Sequence, residues 1–213
     1  MSRPRSTRRF PPAALAAAAA VATLLLMPAV AGAQAPTAAA AAEEPAAAEM
    51  TGRYDGILVD VQAIYPRELA ERVTVRVESL TSDAEADRMA EILRDRGNDA
   101  LEDELWKKDV GRIQIGQGLG YPIAAALAFE GAEGMDHLVL VITRPISVGE
   151  IFAASRSADY PFSVVSLDLD EDGEGSGELV PAARLHFGSD GRLIVDDYGF
   201  QPLRILRVER ASG

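Results

Sequence analysis

Met135-Asp136-His137-Leu138-Val139-Leu140-Val141-Ile142-Thr143-Arg144 is the stretch that decides the fold. Its centre, Leu138 to Ile142, is the most apolar run beyond the N-terminal leader, and it reads as a buried strand. A second strand-like run follows at residues 162–169. A dense polar connection joins them: Thr143-Arg144-Pro145, then Glu150, then Arg156-Ser157-Ala158-Asp159-Tyr160-Pro161. Two buried strands with a charged link between them predict the centre of a β-rich domain.

Working outward from that pair, period-two alternation recurs on both sides. Residues 72–80 place Val73, Val75 and Val77 opposite Thr74, Arg76 and Glu78, the signature of a half-buried strand. Residues 53–64 read as an earlier strand, with Val59, Val61 and Ala63 on one parity against Asp60 and Gln62. Further strands are expected over 110–115, 121–130, 177–187, 193–195 and 201–209. In 121–130, Ile123, Ala125, Leu127 and Phe129 oppose Ala124, Ala126 and Ala128. Short Gly-containing turns at 131–134, 189–191 and 198–199 favour antiparallel pairing.

One segment breaks the pattern. Ser82-Asp83-Ala84-Glu85 is a capping box, followed by Met89, Ile92 and Leu93 at helical spacing and by Gly97 at a C-terminal cap position. A second short helix is expected from Asn98 or Asp99, carrying Leu101, Leu105 and Trp106, with Lys107 and Lys108 complementing its dipole. The expected fold is therefore α+β: a mainly antiparallel sandwich or partly closed barrel with one inserted helical pair.

The N-terminus carries different information. Arg3, Arg5, Arg8 and Arg9 stand without an acid before an apolar run at 13–30 and Ala31-Gly32-Ala33. This is the grammar of a secretory signal peptide cut after Ala33. Residues 34–50, almost entirely Ala, Pro and Glu, read as a disordered tether, and 51–213 as a single domain large enough to bury a core. The expected location is exported, periplasmic or extracellular, with no membrane anchor after cleavage.

The formal net charge is −12, and loss of the leader's four arginines takes it to −16. Such an acid excess repels phosphate backbones, so nucleic acid is not an expected partner. The chain has no cysteine, which excludes disulfides, thiolate metal sites, cysteine nucleophiles and a lipidated cysteine.

Several stretches invite chemistry. Asp168, Asp170, Asp172 and Gly173 match the opening of a calcium loop, but the closing acid falls one position short, at Glu178. A solvated hairpin tip explains the same acids. His137 and His186 are the only histidines, and neither sits in a metal-binding spacing. Gly116-Gln117-Gly118-Leu119-Gly120 lacks phosphate-loop spacing, and Ser176 lacks a nucleophile elbow. The best candidate for ligand binding is the polar connection itself: Arg144, Glu150, Arg156, Asp159 and Tyr160. Arginine forks clamp carboxylate or phosphate, although these arginines have acids close by to pair with. No cofactor is expected.

Thr143-Arg144-Pro145-Ile146, Glu150, Arg156-Ser157, Asp159-Tyr160-Pro161-Phe162 and Leu167-Asp168-Leu169-Asp170 running to Gly173, Gly175 and Gly177 occur in that order. With Val110-Gly111-Arg112-Ile113, Leu119-Gly120-Tyr121 and Gln201-Pro202, they resemble an uncharacterised family of exported bacterial proteins. The resemblance implies an exported single domain and carries over no catalytic residue. Three functional readings follow. The first is a non-enzymatic binding or interaction protein for an unidentified ligand or partner. The second is a hydrolase using carboxylates such as Glu150 and Asp159 beside Arg144. The third is a calcium-stabilised β domain.

Overall fold

A computed structural model describes residues 7–9, 50–60, 70–130, 135–146, 159–188, 193–197 and 202–211. Glu150, Arg156, the turns at 131–134, 189–191 and 198–199, and nearly all of the expected leader and tether lie outside them. The exception in the leader is a short strand, β1 (Thr7–Arg9), which pairs antiparallel with β10 (Leu193–Asp197).

The other strands are β2 (Gly52–Val59), β3 (Ala70–Val77), β4 (Gly111–Ile115), β5 (Tyr121–Ile123), β6 (Ala125–Glu130), β7 (Asp136–Ile142), β8 (Phe162–Leu169), β9 (Gly175–Phe187) and β11 (Leu203–Arg210). They lie in the order β5-β4-β3-β2-β11-β9-β8-β7-β6, with every described pairing antiparallel. Because β5 and β6 are halves of one run, one half pairing with β4 and the other with β7, the sheet curls into a nearly closed barrel. The Ala124 N–H, donating to the Val141 carbonyl at 2.8 Å, stitches the seam.

Alternation fills the barrel. Val73, Val75 and Val77 point inward beside Ile113, Leu138, Leu140, Leu167, Leu179 and Ile205, all essentially buried. A barrel of about eight strand positions leaves an interior just wide enough for side chains. Two expectations about facing are corrected. On β2 the inward residues are Tyr54 and Leu58, while Val59 is only half-buried. The register with β3 sets this, since Tyr54 opposes Val75. In residues 121–130 the alternation does not run through. The break at Ala124 resets it, so Ile123 faces inward with Ala126 and Ala128, while Ala125, Leu127 and Phe129 face the outside.

The helical region, α1 (Asp83–Leu105), is interrupted at Gly97, whose non-helical backbone (φ 82°, ψ −168°) bends it sharply into two arms. Only glycine visits that backbone region without strain. Straight, a helix would hold Arg88 and Glu104 about 24 Å apart. They meet at 3.3 Å, so the two arms fold back on each other. Lys108, expected to complement the helix dipole, instead crosses to Glu85 at 2.7 Å. Glu85 also accepts from the Ser82 N–H at 3.3 Å, which fixes the helix start.

Helix α1 lies on the outside of the barrel. Met89, Ile92, Leu93, Leu101 and Leu105 form a second core with Val139, Val141, Phe162, Val164, Val180 and Leu185. Asn98, just past the bend, latches it down. Its amide donates to the Leu185 carbonyl and accepts the Leu185 N–H, both at 2.9 Å. Among the described residues, no helix is long and apolar enough to cross a membrane.

Candidate functional site

Near the start of the polar connection, the anchor is Ser163, fully buried at the β8–β9 bulge. Its hydroxyl lies 2.9 Å from the Arg144 carbonyl and 2.7 Å from the Pro181 carbonyl, and it accepts the Ile146 N–H at 2.8 Å. Three backbone groups converge on one side chain, which is a device for fastening chain rather than for attacking substrate. The Arg144 guanidinium stacks 4.9 Å from the centre of the Tyr121 ring. Asp159 is exposed and Tyr160 half-buried, and each has an interaction partner.

The acidic turn uses its carboxylates on its own backbone. Asp170 Oδ1 accepts from the N–H groups of Asp172 (3.0 Å) and Glu174 (2.9 Å). Gly173 takes φ 77° there, and its carbonyl receives the Arg210 N–H. Asp168 leaves the turn altogether to meet His137 Nδ1 at 2.5 Å on the neighbouring strand, and Asp172 is exposed. Among the described residues, no three His, Asp or Glu side chains are grouped to hold a metal.

The two histidines lie apart, each beside an aspartate: His137 with Asp168, and His186 with Asp196 at 3.3 Å. Ser176 stands opposite Asp168, which stands opposite His137. The acid is therefore in the middle of this row. Nucleophile and imidazole sit two strand spacings apart, about 10 Å, too far for direct proton transfer.

A different constellation emerges on the uncovered side. Register places Arg53 opposite Arg76 and Arg76 opposite Arg112, three arginines in one row across β2, β3 and β4. All three are exposed. Arg53 pairs with Asp55 at 3.1 Å, and Arg112 lies 3.9 Å from Asp109. The Arg76 side chain forms no hydrogen bond or ion pair among the described residues. Like charges directly opposite one another on a sheet destabilise it.

The next row on this face is Glu209, Asp55, Thr74 and Gln114. Burial raises the Asp55 pKa, but hydrogen bonds from Thr74 (2.6 Å) and Arg53, with the charges of Arg53 and Arg72, outweigh it and hold the carboxyl below its usual range. Asp55 therefore stays ionised at neutral pH.

Sequence reading missed this row. Alternation shows that Arg76 faces away from Val75 and Val77, but only the pairing register lines it up with Arg53 and Arg112.

No family model, curated protein or solved structure matches this chain.

Proposed function

We propose that this protein is an exported, non-enzymatic binding domain whose contact surface is the outer face of β2, β3 and β4. The observation that carries this reading is the in-register row Arg53–Arg76–Arg112 on the outside of a barrel whose interior is packed with its own apolar side chains. A small-molecule site is ordinarily a concave pocket. Here the unbalanced charge lies on an open surface, which suits a partner large enough to lie across it. The leader-like N-terminus and the resemblance to exported proteins support delivery outside the cytoplasm, where the partner is a component of the cell envelope.

Sedimentation with the isolated envelope of the exporting cell tests the reading. The expected result is that wild-type protein pellets with the envelope, while Arg53→Ala/Arg76→Ala/Arg112→Ala, with an unchanged circular dichroism spectrum, stays in the supernatant. A wild type that does not pellet, or a triple variant that pellets equally, overturns the proposal.

A further inference from the structure

The ligand class can be read from what borders the arginine row. This step rests on the proposed binding face and gives it a chemistry. Successive strands lie about 4.8 Å apart, so the row from Arg53 to Arg112 spans about 10 Å of backbone. Carboxylates flank it on both sides. Asp55 and Glu209 occupy the next row in one direction. In the other, Glu78 lies two residues beyond Arg76 on β3's outward parity, and Asp109 stands just before β4. The cationic line is thus interrupted after one row, with Arg72 standing beyond Thr74 on the same parity of β3, within a chain of net charge −12.

From this geometry we infer that the face binds a single extended chain of phosphate groups lying along the Arg53–Arg76–Arg112 row. Each guanidinium presents a planar fork that matches a phosphate bidentately. In the unliganded chain Arg53 turns toward Asp55 and Arg112 toward Asp109; swung back over their aligned backbone positions, the three forks stand at strand spacing and meet successive phosphates of a polymer. An isolated phosphate engages one or two of them and gains little on an open surface. Asp55 and Glu209 at one end of the next row, with Glu78 and Asp109 on the other side, disfavour a wider polyanion, whose second strand would meet them and otherwise only the neutral Thr74 and Gln114. A nucleic acid single strand is disfavoured for another reason. Such strands are held largely by stacking on aromatic rings, and the positions on these rows are arginine, threonine, glutamine and carboxylates. Binding also relieves the repulsion among the three arginines, so the ligand stabilises the fold. The partial pairing of Arg53 and Arg112 does not prevent this, because exposed ion pairs are weak and yield to a multivalent anion.

Isothermal titration of the full chain with long-chain inorganic polyphosphate tests the inference, with orthophosphate and a single-stranded DNA oligonucleotide as comparison probes. Polyphosphate is expected to bind and to raise Tm, and orthophosphate at equal total phosphate is expected to do neither. Arg76→Ala should weaken binding at least tenfold and leave the unliganded Tm equal or higher, which separates lost binding from lost fold. The slope of log K against log salt should fall by about one for each arginine removed. Glu78→Gln and Glu209→Gln should tighten binding. The inference is overturned if wild type ignores polyphosphate, if the arginine variants bind it unchanged, or if orthophosphate or the DNA strand binds as well. Should wild type ignore polyphosphate yet still pellet with envelope through its arginines, the ligand class falls and the binding face stands. If neither occurs, both fall.

Discussion

The barrel has two exteriors, and they obey different rules. Outside β6 to β9, the wall is covered by α1, and the outward residues Val139, Val141, Val164 and Val180 are buried. Outside β2 to β4, no described element covers the wall, and the outward residues Arg53, Arg76, Arg112 and Gln114 are exposed while Asp55 and Thr74 are half-buried. The interior is the same apolar core for both. The difference teaches how to read the strands. Val73 to Val77 alternates strictly because only one face meets a core. Leu138 to Ile142 is apolar throughout because both faces do.

Putting a charge under the helix is the most severe way to break this contrast. Val141→Arg buries an unpaired guanidinium between α1 and the wall and should cost about 4 kcal/mol or more, enough to prevent folding. The mirror experiment, Arg76→Val, should shift stability by less than about 0.5 kcal/mol, because that position is exposed. Urea denaturation of both variants measures the asymmetry, and equal losses would refute it.

The helix can also be tested at its own contacts. Leu105→Ala empties a fully buried site in the outer core and should cost about 3 kcal/mol. Asn98→Ala leaves the Leu185 N–H and carbonyl without their partner, at a cost of about 2 kcal/mol. Hydrogen exchange should show the Asn98 variant opening α1 and the nearby part of β9 before the β2–β4 wall. Uniform loss of protection would mean that the helix is not a separable cover.

The smallest effect is a matter of pH. Burial, reinforced by the charges of Asp103 and Asp99, raises the Glu102 pKa. The folded state then binds this proton more tightly than the unfolded chain does. Glu102 therefore opposes folding at neutral pH, and the penalty fades as pH falls through the carboxylate range. Glu102→Gln should raise Tm at pH 7 and lose that advantage in acid. Asp55 behaves oppositely. Its lowered pKa contributes stability above the ordinary carboxylate pKa, and that contribution disappears as pH drops through the lowered value. Thermal melts across pH for Glu102→Gln and Asp55→Asn should diverge in these two directions.

Much of the architecture was legible in the chain, because alternation and turn residues are local signals. The β-rich class, the antiparallel pairing and the helix start at Ser82 all follow from them. What escaped was set by contacts distant in sequence. The parity reset at Ala124 depends on one run serving two neighbours, which no window of residues reveals. At Gly97 the expected helix break is present, but the folding back of the two arms rests on contacts such as Arg88 with Glu104, distant in sequence. The candidate site was harder still. Residues 143–162 attract notice by density of charge, whereas Arg53, Arg76 and Arg112 are scattered singly and become a row only once three strands are paired.

The pairing of β11 with β2 joins the last described strand of the barrel to the first, Arg204 opposite Val59. A sheet joined in this way at its middle is complete only when both ends of the described barrel are present. Until residues 203–210 have left the ribosome, β2 and β9 each lack a neighbour. Such long-range closure also slows folding relative to local hairpins. The last residues of the chain thus decide when its first strand is finished.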